Sequence, residues 1–301
     1  MKKVIVTGAS GFIGNKTALC FLRNGYEVIG WDRQDSCGNY NIIKVDMLNQ
    51  SEIVVALQTF SPDIIIHCAG SADVGKSVKD PDSDYKGNVT ITHNLMFAIH
   101  NLGLEKTRIV YLSSAGVYGN PISLPISEEM PLNPLSPYAV HKVMCEELCK
   151  YFVSNYGMNV KVARIFSAYG AGLRKQIFWD MHKKANATGR LEMFGTGNES
   201  RDYIHVDDVV QCLYLLATRN SENVIFNVAN GEEITIREVT EMFAKIAGIN
   251  QNDVIFNGVV REGDPLNWKA DISRIREIGY FKTVSMEKGL KEYVDWADDQ
   301  E

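Results

Sequence analysis

The sequence predicts an α/β protein, a doubly wound parallel sheet that carries a smaller, partly interleaved C-terminal lobe. Three observations carry that expectation. Short, near-continuous Val/Ile runs alternate with longer amphipathic stretches, the pattern of strands buried on both faces beneath helices. A glycine-rich turn follows the first such run and opens the first helical stretch. The regular alternation weakens after Arg164, which places the lobe in the last part of the chain.

Taken in order, Lys3–Thr7 is the first expected strand, Phe12–Asn24 the first helix and Glu27–Trp31 the second strand. Asn41–Val45, Asp63–His67 and Arg108–Leu112 repeat the strand signature, with helices expected near Gln50–Thr59 and Thr90–Asn101. Val160–Ile165 and Val224–Val228 continue it. Asn120–Pro137 holds five of the chain's eight prolines. It is expected as a loop over the sheet's carboxyl edge, where open α/β folds bind their ligands. A loop and helix at Gly170–Gly189 and a mixed stretch from Gly231 belong to the lobe. The expected division is residues 1–165 for the sheet domain, with 204–230 returning to it, and 166–203 plus 231–301 for the lobe.

Composition narrows the function. The chain is 45% hydrophobic and 23% charged, which is ordinary for a globular protein. Its net charge of −6 argues against nucleic-acid binding, which needs a dense basic face. No apolar stretch approaches the ~20 residues that span a bilayer, and the early glycines do not suit a secretion signal. A cytoplasmic protein without a membrane partner is expected. The six cysteines (Cys20, Cys37, Cys68, Cys145, Cys149 and Cys212) are scattered, with no CxxC pair and no histidine cluster. Neither a metal site nor a disulfide is expected, and Cys145 and Cys149 read as core thiols.

Thr7–Gly14 reads TGASGFIG. Gly8, Gly11 and Gly14 permit a tight turn, close approach of a pyrophosphate, and close helix–sheet packing, while the helix start offers N–H groups to phosphate. Asp32 ends the second strand, where a carboxylate accepts hydrogen bonds from an adenosine ribose and repels a 2′-phosphate. NAD is therefore favoured over NADP, although Arg33, the next residue, is of a type that accommodates a 2′-phosphate. Asp46, followed by Met47, lies past the third strand. It suits either an adenine amino group or an exposed loop.

Ser136-Pro137-Tyr138 opens a helix, with Ser136 as N-cap and Pro137 in the first turn. Spacing i, i+4 puts Tyr138 and Lys142 on one face. A phenol is a weak base at its usual pKa of about 10, and a nearby ammonium favours its ionised form. Such a pair can take a proton from a sugar hydroxyl during hydride removal. A Tyr-x-x-x-Lys pattern alone also fits a solvated helix face. Ser114, in Ser113–Gly119 (SSAGVYG), is placed to bond the same hydroxyl. No histidine stands as its base, so it is not expected as a covalent nucleophile. His67 reads as structural, and His141 points off the Tyr–Lys face.

These motifs, with HCAG at His67–Gly70, ARIFSAYG ending at Gly170, RDYIHVDD at Arg201–Asp208 and the segment from Arg261, stand in the order of extended short-chain dehydrogenases/reductases. Over almost its whole length the chain resembles the NAD-dependent epimerase/dehydratase family of nucleotide-sugar enzymes. That resemblance implies a Rossmann sheet, a homodimer, and Ser114, Tyr138 and Lys142 as catalytic triad. It implies cofactor contacts from Gly8, Gly11, Phe12, Ile13, Gly14, Asp32, Asp46, Met47, Cys68, Ala69, Gly70, Tyr138 and Lys142, with Lys142 holding the nicotinamide ribose. Arg201 and Arg261 would grip the substrate's diphosphate, which suits a guanidinium fork, and Ser167 would contact substrate.

The residues after Ser114 bear on the reaction. Family 4,6-dehydratases place an acid there, often Asp-Glu, and related decarboxylases keep a Glu. This chain has Ala115-Gly116, which cannot move protons, and so looks more like the UDP-galactose 4-epimerases. The expected activity is NAD-dependent 4-epimerisation of a nucleotide-linked hexose through a transient 4-keto sugar. The runner-up is an NAD(P)H-dependent reductase of a nucleotide-linked 4-keto-6-deoxy sugar. A non-catalytic cofactor-sensing role would leave the triad without purpose. Three departures stand out: Ser167 where the family commonly has Asn, Ala72 where its galactose epimerases carry Lys, and a rather short chain.

Overall fold

A computed structural model describes residues 1–34, 39–259 and 266–300. Arg261 and Cys37 therefore lie outside the described residues.

The chain opens with β1 (Lys3–Thr7), α1 (Phe12–Arg23), β2 (Glu27–Asp32), β3 (Asn41–Lys44), α2 (Gln50–Phe60) and β4 (Ile64–His67). Two short helices, α3 (Val74–Lys79) and α4 (Pro81–Tyr85), run into a π-helical turn at Lys86–Thr90 and then α5 (Ile91–Asn101). Next come β5 (Arg108–Ser114), α6 (Pro137–Tyr156) and β6 (Asn159–Ile165). Among the described residues the central sheet has seven parallel strands, and its far edge is a later strand, Ile225–Val228. Across the sheet the order runs from that strand through β6, β5, β4, β1 and β2 to β3. The order reverses between β1 and β4, the point where open α/β sheets leave a crevice at their carboxyl edge.

Each strand alternates between two cores. Val4 and Val6 of β1 and Ile64 and Ile66 of β4 point to one face, packing with Phe21 of α1 and Leu213. Ile5 and Ile65 point to the other, packing with Ile53, Leu57, Leu95, Cys145 and Cys149. Period-2 side-chain placement in a sheet covered on both sides explains why the strands read as unbroken apolar runs. Cys145 and Cys149 are fully buried, and burial raises both thiol pKa values.

β5 extends two residues beyond the expected Leu112, because its pairing with β6 continues to Ser114 opposite Ile165. The helix expected from Thr90 begins at Ile91, after the π turn. Ser136 caps α6 by accepting from the Ala139 N–H, with Pro137 in its first turn. Both helix-start signals act as the sequence indicates.

Beyond Ile165 the chain forms β7 (Ser167–Tyr169), α7 (Gln176–Thr188), β8 (Leu191–Met193), β9 (Ser200–Arg201), β10 (Tyr203–His205) and α8 (Val206–Thr218). The strand Ile225–Val228 is β11, followed by β12 (Ile234–Thr235), α9 (Ile236–Ile246), β13 (Val254–Phe256), α10 (Ser273–Glu277) and α11 (Met286–Asp298). Helices α7, α9 and α11 share a third core around Phe178, Met181, Phe243, Leu290 and Tyr293. Trp268, Ala270, Ile272, Ile275 and Tyr280 instead pack into the first core beside the sheet. The chain thus crosses between the two bodies several times. No helix among the described residues is long and apolar enough to cross a membrane.

Candidate active site

The carboxyl ends of β1, β4 and β5 open into a cavity of about 930 Å³, roofed by residues of α7, β8, β9 and the Leu266–Trp268 segment. Gly8, Gly11, Phe12, Ile13, Gly14, Cys68, Gly70, Ser114, Tyr138, Lys142, Ser167 and Arg201 all line it. Asp32, Arg33, Asp46, Met47 and Ala69 do not appear in its wall. A smaller hollow of about 440 Å³ beside His182, Asn186, Asp253 and Asp298 contains none of the residues singled out from the sequence.

Packing explains the glycine loop. Gly8 has φ +63°, and a Cβ there would lie 2.8 Å from the Ala69 nitrogen. At Gly14 a Cβ would stand 2.1 Å from the Gly8 carbonyl oxygen, so no other residue fits without moving the loop. Gly11 is the N-cap of α1 and brings no side chain to cap it. The first N–H groups of that helix are therefore free to meet an anion, and its dipole favours one. Asp32 steadies this loop, because its carboxylate accepts from the Ser10 N–H at 3.0 Å and from Arg33 N–H at 2.7 Å. Asp46 closes its own turn by accepting from the Leu48 N–H at 3.0 Å.

His67 is structural, as its position suggests, and its hydrogen bonds can be oriented. Residues Thr7 and His67 are paired across β1 and β4. Thr7 Oγ1 accepts from the Ala69 N–H at 3.0 Å and lies 2.8 Å from His67 Nδ1. Thr92 Oγ1 donates to the Asn88 carbonyl at 2.7 Å and lies 3.2 Å from His67 Nε2. The hydroxyl protons so assigned leave Nδ1 as acceptor and Nε2 as donor, a neutral tautomer. Burial pushes His67 down to about 3, with the Lys142 ammonium adding to the effect. This chain of bonds ties the backbone after β4 to the π turn.

Tyr138, Lys142 and Ser114 line the same cavity, each held by its own neighbours. The Lys142 ammonium donates to the Leu112 carbonyl at 2.9 Å and to the Tyr111 hydroxyl at 3.2 Å, and stands 5.8 Å from the Tyr138 ring centre. The Tyr138 backbone N–H donates to Ser77 Oγ, which ties α6 to α3. Ser114 Oγ accepts from the Gly116 N–H at 3.1 Å. A Cβ on Gly116 would meet Ser114 Oγ at 3.3 Å and Tyr138 Cε1 at 3.9 Å, and Ala115 is fully buried. Ala115 and Gly116 thus put no ionisable side chain beside Ser114. His141 turns away and pairs with Asp84, 2.7 Å from Nδ1 to Oδ2.

Two features beneath the site escape a sequence reading. Glu146 lies one turn beyond Lys142 on α6 and pairs with Arg164 of β6 at 2.6 Å, both almost fully buried. Ser113 Oγ donates to Glu146 at 2.6 Å, and Arg164 donates to the Tyr118 hydroxyl at 2.8 Å and the Glu128 carbonyl at 3.0 Å. Spacing Tyr138, Lys142, Glu146 at i, i+4, i+8 hints at one face, but the partner in β6 is distant in sequence. The second feature is Lys175. Its ammonium donates to the carbonyl of Ala72 at 3.1 Å, so this wall receives a lysine from the lobe instead of carrying its own. Arg201 donates to the Ser200 and Leu266 carbonyls and lies 5.7 Å from the Trp268 ring centre.

An open parallel sheet, a glycine loop at its switch point and a buried Tyr–Lys pair in one cavity define a dinucleotide-dependent α/β enzyme. The profile of the NAD dependent epimerase/dehydratase family matches residues 4–229, and the chain belongs to that family. Its cofactor is NAD. It is 30% identical to the UDP-glucose 4-epimerase of Mycolicibacterium smegmatis, over 98% of each chain. It is 29% identical to the GDP-6-deoxy-D-mannose reductase of Pseudomonas aeruginosa, over 98% of this chain and 97% of that one. Among solved structures it resembles UDP-glucuronic acid 4-epimerase from Bacillus cereus in complex with UDP-glucuronic acid and NAD. That match has 28% identity and a TM-score of 0.89, covering 99% of this chain and all of the other.

Proposed function

We propose that this enzyme is a nucleotide-sugar 4-epimerase acting on a UDP-linked sugar, with Ser114, Tyr138 and Lys142 as its catalytic residues. The observation that carries the reading is the triad lining one cavity with no acidic side chain at the two positions after Ser114, Ala115 and Gly116. Elimination of water would need such an acid, whereas epimerisation needs one group that removes and returns a proton. NAD, when bound, would supply reversible hydride transfer at C4. Tyr138 takes the proton of the 4-hydroxyl and later returns it. Ser114 holds that oxygen by hydrogen bond, and Lys142 favours the ionised phenol through its charge. Gly8, Gly11, Phe12, Ile13 and Gly14 cradle the cofactor's phosphates, Asp32, Arg33, Asp46 and Met47 serve its adenosine end, and Cys68, Ala69 and Gly70 its nicotinamide end. Arg201, Arg261 and Ser167 hold the diphosphate and sugar while the keto intermediate turns over, so orientation supplies much of the rate.

Names of relatives support both halves of this reading, UDP-sugars and 4-epimerisation. The similar reductase supports the alternative, reduction of a 4-keto-6-deoxy sugar. Purified enzyme given UDP-hexoses without added cofactor is expected to interconvert one C4 pair. Net reduction that strictly requires added NADPH would sink the proposal in favour of the reductase.

We also propose a homodimer built on α5 and α6, which pack side by side. Val140, Met144 and Tyr151 on α6 and Phe97 on α5 are exposed large apolar side chains, and the α6 residues fall at i, i+4, i+11 along one stripe. Light scattering is expected to give twice the chain mass, and 33.7 kDa alone would exclude the dimer.

A further inference from the structure

On the sheet side of the cavity, the described lining residues include one cationic side chain, Lys142, whose ammonium is held by Tyr111 and Leu112. The other cations of the wall come from the lobe, Lys175 among them. Lys175 is the last residue of the loop 170–175 between β7 and α7. Its Nζ crosses to the opposite wall and donates to the Ala72 carbonyl. The same loop rests on the glycine loop, since a Cβ on Gly172 would meet the Phe12 ring at 3.4 Å and Phe12 is the first residue of α1. The loop thus touches both flanks of the crevice, the turn after β1 and the turn after β4. The residue as a whole is exposed, while its ammonium end is desolvated, which lowers its pKa, and Asp73 opposes that shift.

We propose that Lys175 closes the cofactor's pyrophosphate site from the lobe side, its ammonium exchanging the Ala72 carbonyl for a phosphoryl oxygen. The inference rests on the glycine loop holding the NAD pyrophosphate. The start of α1 offers N–H groups and a partial charge of about +0.5, which leaves most of a pyrophosphate's charge unbalanced. An ionised phosphoryl oxygen adds a Coulomb attraction to the ammonium that a neutral carbonyl lacks, so the exchange is favourable. The cofactor is then clamped between sheet and lobe, and its release requires the 170–175 loop to move. Such retention suits a reaction whose keto intermediate must be reduced by the same cofactor molecule.

Lys175→Met keeps the stem and removes the charge, and Lys175→Arg keeps the charge. NAD affinity, followed with release on the purified apo-protein by titration and stopped flow, is expected to weaken about 10- to 100-fold in K175M. Release should be faster in proportion, the KM for the nucleotide sugar at saturating NAD unchanged, and K175R close to wild type. Wild-type NAD affinity in K175M would overturn the proposal. A raised KM for the sugar with NAD affinity intact would overturn it too, assigning the ammonium to the substrate's diphosphate. NAD binding is read without any epimerase assay, so failure of the 4-epimerase reading would show separately, as wild-type protein that binds NAD but does not interconvert sugars.

Discussion

Replacing Tyr138 with Phe is expected to lower turnover about 10²- to 10⁴-fold, the usual contribution of a positioned acid–base group. The change deletes one oxygen and keeps a ring that is only 9% exposed. Packing of α6 against the sheet therefore survives, as do the Lys142 bonds to Tyr111 and Leu112. NAD affinity should remain near wild type, because the glycine loop is untouched. Measuring kcat and NAD binding on the same preparation separates loss of the proton carrier from loss of the site. Turnover equal to wild type in Tyr138→Phe would remove Tyr138 from the chemistry.

The second large effect concerns stability. Glu146→Gln leaves the Arg164 guanidinium buried beside a neutral amide, and breaking a buried pair in this way costs about 3–5 kcal/mol. The geometry makes the upper part of that range reasonable, since Glu146 also accepts from Ser113 and binds Arg164 through both carboxylate oxygens. Replacing both partners with apolar residues of similar volume should be far milder, because no charge is then stranded. Urea unfolding of Glu146→Gln and of the double variant gives the comparison. A loss under about 1 kcal/mol in E146Q would mean that water or another group already compensates Arg164. Turnover should fall with stability, since the pair fixes α6 to β5 and β6 beside Ser114 and Lys142.

The order of strands and helices was legible because the central strands are buried on both faces and the helices on one, and burial writes itself into residue type. Lys3–Thr7 came out with the boundaries the sequence indicates. β5 came out longer, since its end depends on how far β6 runs alongside it, a matter of pairing and not of composition. The short helices α3 and α4 were not foreseen. Their residues, Val74 to Tyr85, carry too few turns for a periodic signal, and it is Ser77 and Asp84, bonded to Tyr138 and His141, that fix them against α6. The path of residues 268–280 back to the sheet core was also hidden, because an apolar side chain carries no address for the core it enters.

By itself the sequence determined the glycine loop, the Tyr138–Lys142 spacing, the absence of an acid after Ser114 and the family to which the chain belongs. All of these are local patterns, set by one turn or one helix face, where a few residues dictate geometry. Only the tertiary structure decided that Ser114, Tyr138 and Arg201 share a cavity, that Glu146 neutralises Arg164 beneath it, and that Lys175 spans it to Ala72. These contacts join residues up to 103 positions apart. Chain connectivity does not encode such distances, and only the packing of lobe on sheet brings the groups together.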